Sequence, residues 1–270
     1  MGAGIAQVAI TAGFDVVGRE ISDELVDAAC RKIKHYLGRA VEKGRMTAEQ
    51  RDAALARMRT TTDVAGVSDC DLVIEAIVEE LDAKRELFAQ LDRLCAPDAI
   101  LATNTSAISV TEIASATNRP DRVLGMHFFN PAPLLPLVEI VRTEQTTDDV
   151  VDAAHAWSER AGKTPVHCGD TPGFIVNRIL IPLLNDCVRT LDEAGITPED
   201  LDTAMTKGAG WPMGPCALVD LVGIDIHVHA AEALYARMPD DRIAPPERLR
   251  QMQAEGKLGR KTGEGFFRYE

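Results

Sequence analysis

Two short apolar segments carry the most information about the fold: Leu124-Gly125-Met126-His127-Phe128-Phe129-Asn130-Pro131 and Leu137-Val138-Glu139-Ile140-Val141. Each has the length and composition of a buried strand, and each holds one ionisable side chain within its apolar run. If the two strands are neighbours, Glu139 can reach one ring nitrogen of His127 and leave the other free to accept a proton. Such a pair suits general acid–base catalysis. A core histidine beside an unrelated strand-edge charge is the alternative for these two residues alone.

Strand-like and helix-like segments alternate from residue 1 to residue 169. Apolar runs predict strands at 14–17, 71–76, 100–103, 123–129, 137–141 and 165–167. Helical spacing and capping residues predict helices at 22–43, 46–58, 81–94 and 148–161, and a further helix that Ser109 or Thr111 would cap. This alternation predicts an α/β fold, a Rossmann-type domain whose mostly parallel sheet has helices on both faces.

The chain from residue 170 to residue 270 has only helical patterns. Helices are expected at 174–194, 198–207, 217–237 and 246–255. Pro182 lies inside the first of them, so we expect a kink or a break there. The sequence therefore predicts an all-α C-terminal domain over 170–270.

Composition excludes several classes of protein. The 270 residues carry a formal charge of −13, which argues against a nucleic-acid-binding protein. No apolar run has membrane-spanning length, and no secretory signal is visible. The six cysteines form no CxxC pair, and no His, Asp or Glu cluster has the spacing of metal ligands. We therefore expect a cytoplasmic protein with reduced thiols, no metal, no membrane and no nucleic-acid partner.

The N-terminal segment resembles part of a dinucleotide-binding unit. Gly2 lies where a helix begins, and Glu20 follows the next strand, as does the acidic residue that binds a ribose in such units. The first strand and the first two glycines of the fingerprint are absent, which would leave a buried pairing edge open. We expect Met1 to be an internal methionine of a longer protein; a true start with damaged cofactor binding is the alternative.

Several long motifs occur together and in order along the chain. They are Glu75-Ala76-Ile77-Val78-Glu79, Asn104-Thr105-Ser106, His127-Phe128-Phe129-Asn130-Pro131, the segment 170–178, Gly208-Ala209-Gly210-Trp211-Pro212-Met213-Gly214-Pro215, and Lys261-Thr262-Gly263-Glu264-Gly265-Phe266-Phe267. In these motifs the whole chain resembles the L-3-hydroxyacyl-CoA dehydrogenase family. The resemblance implies reversible, NAD-dependent oxidation of an (S)-3-hydroxyacyl-CoA, with short acyl chains such as 3-hydroxybutyryl.

The resemblance also implies a role for individual residues. His127 would be the acid–base residue, Glu139 would orient its ring, and Ser106 and Asn177 would contact the substrate. The residues implied for NAD binding are Gly2, Glu20, Glu79, Lys84 and Asn104. Lys43 would contact the CoA nucleotide, although a solvated charge at a helix C-terminus is nearly as good an interpretation. The acidic Glu20 favours NAD over NADP.

Two further readings remain open at the sequence level. One is a dehydrogenase of a free hydroxy acid or sugar acid on the same fold. The other is a non-catalytic protein, either crystallin-like or a degenerate paralogue, which the missing glycine-rich strand favours and the intact His127, Glu139, Ser106 and Asn177 oppose. The family resemblance further implies a homodimer formed through the C-terminal helical domain.

Overall fold

The computed structural model describes residues 1–269, which form two compact units, Met1–Thr171 and the remainder from Pro172 onward. The first unit is α/β and the second is helical, so the fold class predicted from the sequence is confirmed.

The strands of the first unit form two sheets. The strands are β1 (Val16–Arg19), β2 (Met58–Thr61), β3 (Leu72–Glu75), β4 (Ile100–Thr103), β5 (Val123–Phe128), β6 (Leu137–Arg142) and β7 (Thr164–Gly169). The larger sheet has the order β3-β4-β5-β6-β7 and is parallel except for the antiparallel pair β5–β6. β1 and β2 form a separate parallel pair. In the described part of the chain, β1 and β3 thus each have a strand partner on one side only.

The strand β2 is not predicted by the sequence pattern. Arg59 and Thr60 are exposed at its centre, so the segment has no apolar run that would mark it as a strand. Its place in the fold comes from parallel pairing with β1, in which Val16 lies opposite Met58. The sequence instead predicts a helix as far as Met58, the first residue of β2, whereas the helix ends at Ala56.

Side-chain caps mark the start of three of the helices of the first unit. These helices are α1 (Gly2–Thr11), α2 (Asp23–Glu42), α3 (Ala48–Ala56), α4 (Leu81–Leu94), α5 (Val110–Ala114) and α6 (Asp148–Arg160). Ser22 accepts a hydrogen bond from the backbone N–H of Leu25, and Ser109 does the same for Glu112. Thr47 and Gln50 form a reciprocal capping box at α3. These are the start signals that the sequence pattern indicates.

Helix α1 packs against both sheets. Its buried Ile5 belongs to a core cluster with residues of β4, β5, β6 and α6, including Leu124, Met126 and Ile140. Its Ile10 belongs to a second cluster that contains Val16 of β1. Burying this apolar surface is the main stabilising contribution of α1 to the unit.

The second unit contains α7 (Val176–Ala194), α8 (Pro198–Thr203), α9 (Pro215–Val222), α10 (Ile224–Arg237) and α11 (Glu247–Ala254). Its described residues form isolated bridges but no strand. The expected single helix over 217–237 is wrong: Gly223 adopts φ +103°, which ends α9 and starts α10. The expected helix over 198–207 ends as an α-helix at Thr203 and continues as a π-helical turn to Gly208.

Pro182 does not break its helix. α7 runs uninterrupted past it, and the buried side chains of Ile181, Leu184, Val188 and Leu191 lie along one face on either side of it. Packing of that face offsets the hydrogen bond that a proline cannot make. Across residues 1–269, no helix combines the length and the apolar composition needed to cross a bilayer.

Candidate active site

The antiparallel register of β5 and β6 places His127 directly opposite Glu139. The imidazole Nδ1 lies 2.6 Å from Glu139 Oε2, and the two side chains are only 5% and 0% exposed. Nearly all the other residues of both strands are apolar and buried, so the register is fixed by the core that surrounds the pair. An ionised Glu139 requires the proton of a neutral His127 ring to be on Nδ1, which leaves Nε2 as the acceptor.

Gly125 leaves room for this close pairing. It lies opposite Val141, and a Cβ at position 125 would be 2.9 Å from Val141 Cβ and 3.1 Å from Val110 Cγ2. A side chain here would push β5 away from β6 or from α5. The glycine therefore serves the packing next to His127.

Ser106 lies on the other side of the histidine ring. Its hydroxyl oxygen is 3.1 Å from His127 Nε2. Ser106 is part of the turn that follows β4, at the carboxyl end of the parallel strands, where ligands of α/β sheets bind. The structure thus brings together Ser106, His127 and Glu139, with one ring nitrogen facing each partner.

Asn104 links the ends of two neighbouring strands. The buried Asn104 side chain accepts a hydrogen bond from the Phe128 N–H through Oδ1, at 2.8 Å. This contact fixes the start of the turn that carries Ser106 relative to the end of the strand that carries His127. A contact of Asn104 with a cofactor stays a prediction.

Glu79 and Lys84 lie next to this turn. Glu79 Oε1 accepts hydrogen bonds from the Thr105 hydroxyl at 2.6 Å, the Ser106 N–H at 2.7 Å and the Ala107 N–H at 3.0 Å. Its Oε2 lies 3.2 Å from the Lys84 ammonium. Partial burial opposes ionisation of Glu79, but the Thr105 hydrogen bond, the Lys84 charge and the two N–H groups outweigh it, so the pKa of this carboxyl lies below its usual value.

Gly2 and Glu20 lie near one end of α1. Gly2 is the first residue of the helix, and a Cβ there would meet nothing within 4 Å. Burial and Lys32 lower the pKa of the Met1 amine at this helix start, and Glu20 opposes them, so the Glu20 carboxylate acts at the same helix end. A helix N-terminus beside an acidic side chain suits the pyrophosphate and ribose of a dinucleotide. Contacts of Gly2 and Glu20 with a dinucleotide stay predictions.

The two other predicted site residues are Lys43 and Asn177. Lys43 is the exposed C-cap residue of α2, as expected for a solvated helix-end lysine as well as for a CoA contact. Asn177 is half-buried in the first turn of α7, in the second unit. Their roles toward CoA and substrate stay predictions.

Glu75, Thr103 and Thr105 are buried polar residues next to the site, and the sequence assigns them no role. Glu75 accepts hydrogen bonds from Lys84 at 2.7 Å and from Thr103 at 2.7 Å. The feature of the sequence that could have pointed to Glu75 is a carboxylate inside an apolar strand. A buried carboxylate needs hydrogen-bonding or charged partners. Among residues 1–269, no group of three or more His, Cys, Asp or Glu side chains could hold a metal ion.

Comparison with known proteins identifies the family. Residues 1–171 match the profile described as 3-hydroxyacyl-CoA dehydrogenase, NAD binding domain, and residues 173–269 match its C-terminal domain. A probable 3-hydroxybutyryl-CoA dehydrogenase of Deinococcus radiodurans is 44% identical over 269 residues, covering 100% of this chain and 96% of that protein.

Solved structures agree with this match. The crystal structure of Mycobacterium tuberculosis FadB2 is similar with a TM-score of 0.95 and 43% identity, covering 100% of this chain and 95% of that one. The (S)-3-hydroxybutyryl-CoA dehydrogenase PaaH1 from Ralstonia eutropha gives 0.93 and 40%, with coverage of 100% and 95%. Both units of this chain are thus matched in sequence and fold, and the chain belongs to the 3-hydroxyacyl-CoA dehydrogenase family.

Proposed function

We propose that this protein catalyses the reversible, NAD-dependent oxidation of (S)-3-hydroxyacyl-CoA to 3-oxoacyl-CoA, with short acyl chains such as 3-hydroxybutyryl. Relatives at 40% identity or more bear that activity in their names. The observation that carries the proposal is the histidine ring of His127, which lies between the Glu139 carboxylate and the Ser106 hydroxyl.

In the oxidation direction, His127 is the general base. Nε2 takes the proton of the substrate hydroxyl, and Nδ1 keeps its proton toward Glu139. When bound, NAD would supply the acceptor for the hydride that leaves the carbon bearing the hydroxyl. The ring becomes a cation, and the buried negative charge of Glu139 stabilises it. In the reduction direction the same ring donates the proton back to the substrate oxygen.

Ser106 and Asn177 hold the substrate in this proposal. The Ser106 hydroxyl, 3.1 Å from Nε2, hydrogen-bonds the same substrate oxygen that exchanges its proton with His127. Asn177, in the first turn of α7, would contact the substrate. Lys43 contributes a positive charge for the phosphates of CoA. Because the protein has a net charge of −13, such positive charge must be supplied locally.

NAD is held by groups of the first unit in this proposal. The start of α1 at Gly2 binds the pyrophosphate, and Glu20 binds the ribose hydroxyls and repels a 2′-phosphate, which favours NAD over NADP. Glu79, Lys84 and Asn104 would act near the nicotinamide half. We further propose a homodimer formed through the second unit and a cytoplasmic location, where the six free cysteines would stay reduced.

The proposal is tested by following NADH oxidation with acetoacetyl-CoA, with free acetoacetate as the matched substrate that lacks CoA. We expect turnover with the thioester and at least about 100-fold lower kcat/KM with the free acid, because the CoA contacts contribute binding energy. Turnover of the free acid alone would instead support the hydroxy-acid alternative. A folded protein that binds NADH and turns over neither substrate would contradict a dehydrogenase function.

A further inference from the structure

A connected group of buried charges underlies the Ser106 turn. Glu75 lies at the end of β3, and its side chain is 0% exposed; that of Lys84, on α4, is 1% exposed. Glu75 Oε1 accepts from Lys84 Nζ at 2.7 Å and from the Ile77 N–H at 2.6 Å, and Oε2 accepts from the Thr103 hydroxyl at 2.7 Å. Both carboxylate oxygens are therefore satisfied away from water.

Burying this ion pair has a cost that its Coulomb attraction need not offset. Removing two charges from water costs several kcal/mol per ion, and apolar residues of similar volume are often as stabilising. A stability role alone therefore explains the pair poorly. Apart from the Ile77 N–H, the partners of the pair, Thr103 and Glu79, lead toward the turn that carries Ser106.

The first route to the turn runs through Lys84 and Glu79. Lys84 Nζ lies 3.2 Å from Glu79 Oε2, which leaves Oε1 of Glu79 to accept from the Thr105 hydroxyl and from the N–H groups of Ser106 and Ala107. A carboxylate that accepts three donors of one turn fixes the backbone of that turn. Lys84 holds this carboxylate in place from the opposite side.

The second route runs through Thr103. The Thr103 hydroxyl donates to Glu75 Oε2, and Thr103 Oγ1 itself accepts a hydrogen bond from the Thr105 N–H at 3.2 Å. The two routes meet at Thr105, whose hydroxyl also accepts from the Ile108 N–H at 2.9 Å. Glu75 thus constrains both the beginning and the middle of the turn.

We propose that Glu75 is a positioning residue for the reaction, which acts through Lys84, Glu79 and Thr103 to hold the Ser106 hydroxyl against Nε2 of His127. The inference rests on the proposed function, because it assigns Ser106 and His127 to the site of proton transfer. Because the Glu75 side chain is 0% exposed, its proposed action is indirect, through these residues.

The first test combines Glu75→Gln with Ser106→Ala. Glu75→Gln keeps the shape but removes the charge that holds Lys84, so the turn loosens. Because displacement of a reacting group by about 1 Å costs up to about 100-fold, we expect kcat with acetoacetyl-CoA to fall about 10- to 100-fold. If Glu75 acts through Ser106, adding Glu75→Gln to Ser106→Ala lowers kcat by less than about threefold more.

Asp92→Asn is the matched control. Asp92 is also a buried carboxylate of the first unit, but its partners are Asn118 and Arg119, and none of its hydrogen bonds leads to the turn. This variant tests the cost of removing a buried charge. We expect it to lower the melting temperature with kcat within about twofold of the wild type.

A second variant keeps the proposal testable if Glu75→Gln does not fold. Thr103→Val removes only the hydroxyl of the second route, and we expect it to lower kcat in the same coupled manner. The proposal would be overturned if the effects on kcat of these changes and of Ser106→Ala were additive in the folded variants. Wild-type kcat in Glu75→Gln would also overturn it.

A readout without turnover separates this inference from the proposed function. The side-chain nitrogen resonances of His127 report the Ser106 contact by NMR. Glu75→Gln is expected to move the Nε2 resonance in the same direction as Ser106→Ala does, and Asp92→Asn to leave it in place. An unmoved resonance in folded Glu75→Gln would overturn the positioning role, whereas an inactive wild type in which the resonance moves would overturn only the assigned reaction.

Discussion

Replacing Glu139 by glutamine removes one charge from the centre of the proposed site and changes little else. Glu139 is 0% exposed and lies 2.6 Å from Nδ1 of His127. The amide oxygen of glutamine can still accept the Nδ1 proton, so the ring keeps its tautomer and its place between β6 and the Ser106 turn. The variant therefore separates the charge of Glu139 from its shape.

The expected loss follows from the difference between a charged and a neutral hydrogen bond. A hydrogen bond to a charged group contributes about 1.5–3 kcal/mol, and a neutral one about 0.5–1.5 kcal/mol. The charge of Glu139 thus stabilises the ring cation by about 1–2 kcal/mol beyond the neutral contact. At about 1.4 kcal/mol for each factor of ten, kcat for the oxidation of 3-hydroxybutyryl-CoA, the direction in which the ring cation forms, should fall about 5- to 30-fold.

Loss of the Glu139 charge should also change how kcat depends on pH. Reduction of acetoacetyl-CoA needs the protonated ring, which a neutral residue at position 139 stabilises less. The decline in kcat with rising pH should therefore occur at lower pH in Glu139→Gln than in the wild type. Glu144→Gln, an exposed carboxylate change just after β6, is the control and should leave the profile in place. A folded Glu139→Gln with wild-type kcat and an unmoved profile would refute this reasoning.

Three further changes have expected outcomes. Burial lowers the pKa of His227 to about 4, and its ring hydrogen-bonds Asn185, so the folded state favours the neutral ring. The ring of the unfolded chain takes up a proton below about pH 6.5. The free energy of unfolding should therefore fall by about 3 kcal/mol in total as the pH falls from about 6.5 to about 4. His227→Gln should flatten that decline in urea unfolding between pH 7 and pH 5, and an unchanged slope would contradict it. Gly125→Ala should lower the free energy of unfolding by about 1–3 kcal/mol, because its Cβ would lie 2.9 Å from Val141 Cβ. An unchanged urea midpoint would show that β5 can accommodate the added methyl group. Glu20→Arg should raise the ratio of kcat/KM for NADPH over NADH, and a constant ratio would remove Glu20 from ribose binding.

The apolar runs of the sequence predict the larger sheet well because its strands are buried. β4 is predicted at its observed limits, and the pairing of His127 with Glu139 requires only that β5 and β6 be neighbours. β2 could not be predicted in this way, since its side chains are largely exposed and only its pairing with β1 makes it a strand. The split of the helix at Gly223 depends on a backbone angle that a glycine permits but does not require.

The sequence predicts site residues whose chemistry is evident from their residue type. It does not predict groups that come together only in the folded chain. His127 and Glu139 stand out as ionisable side chains in apolar segments. Glu75 is of the same kind, but its meaning depends on Lys84, nine positions away on a helix, and on Thr103 of the next strand. The three donors that meet on Glu79 come from a turn far from it in the chain, a closeness that only the folded sheet creates.

The central claim is that His127 exchanges the proton of the reaction, and the most direct measurement is the rate of NADH oxidation with acetoacetyl-CoA in His127→Gln. His35→Gln, a change at an exposed histidine of α2, is the control for loss of an imidazole. We predict that His127→Gln lowers kcat by at least about 100-fold, the range of general acid–base catalysis, while NADH binding and the activity of His35→Gln stay close to the wild type. A folded His127→Gln that retains near-wild-type kcat would contradict the assignment of His127 and the mechanism built on it.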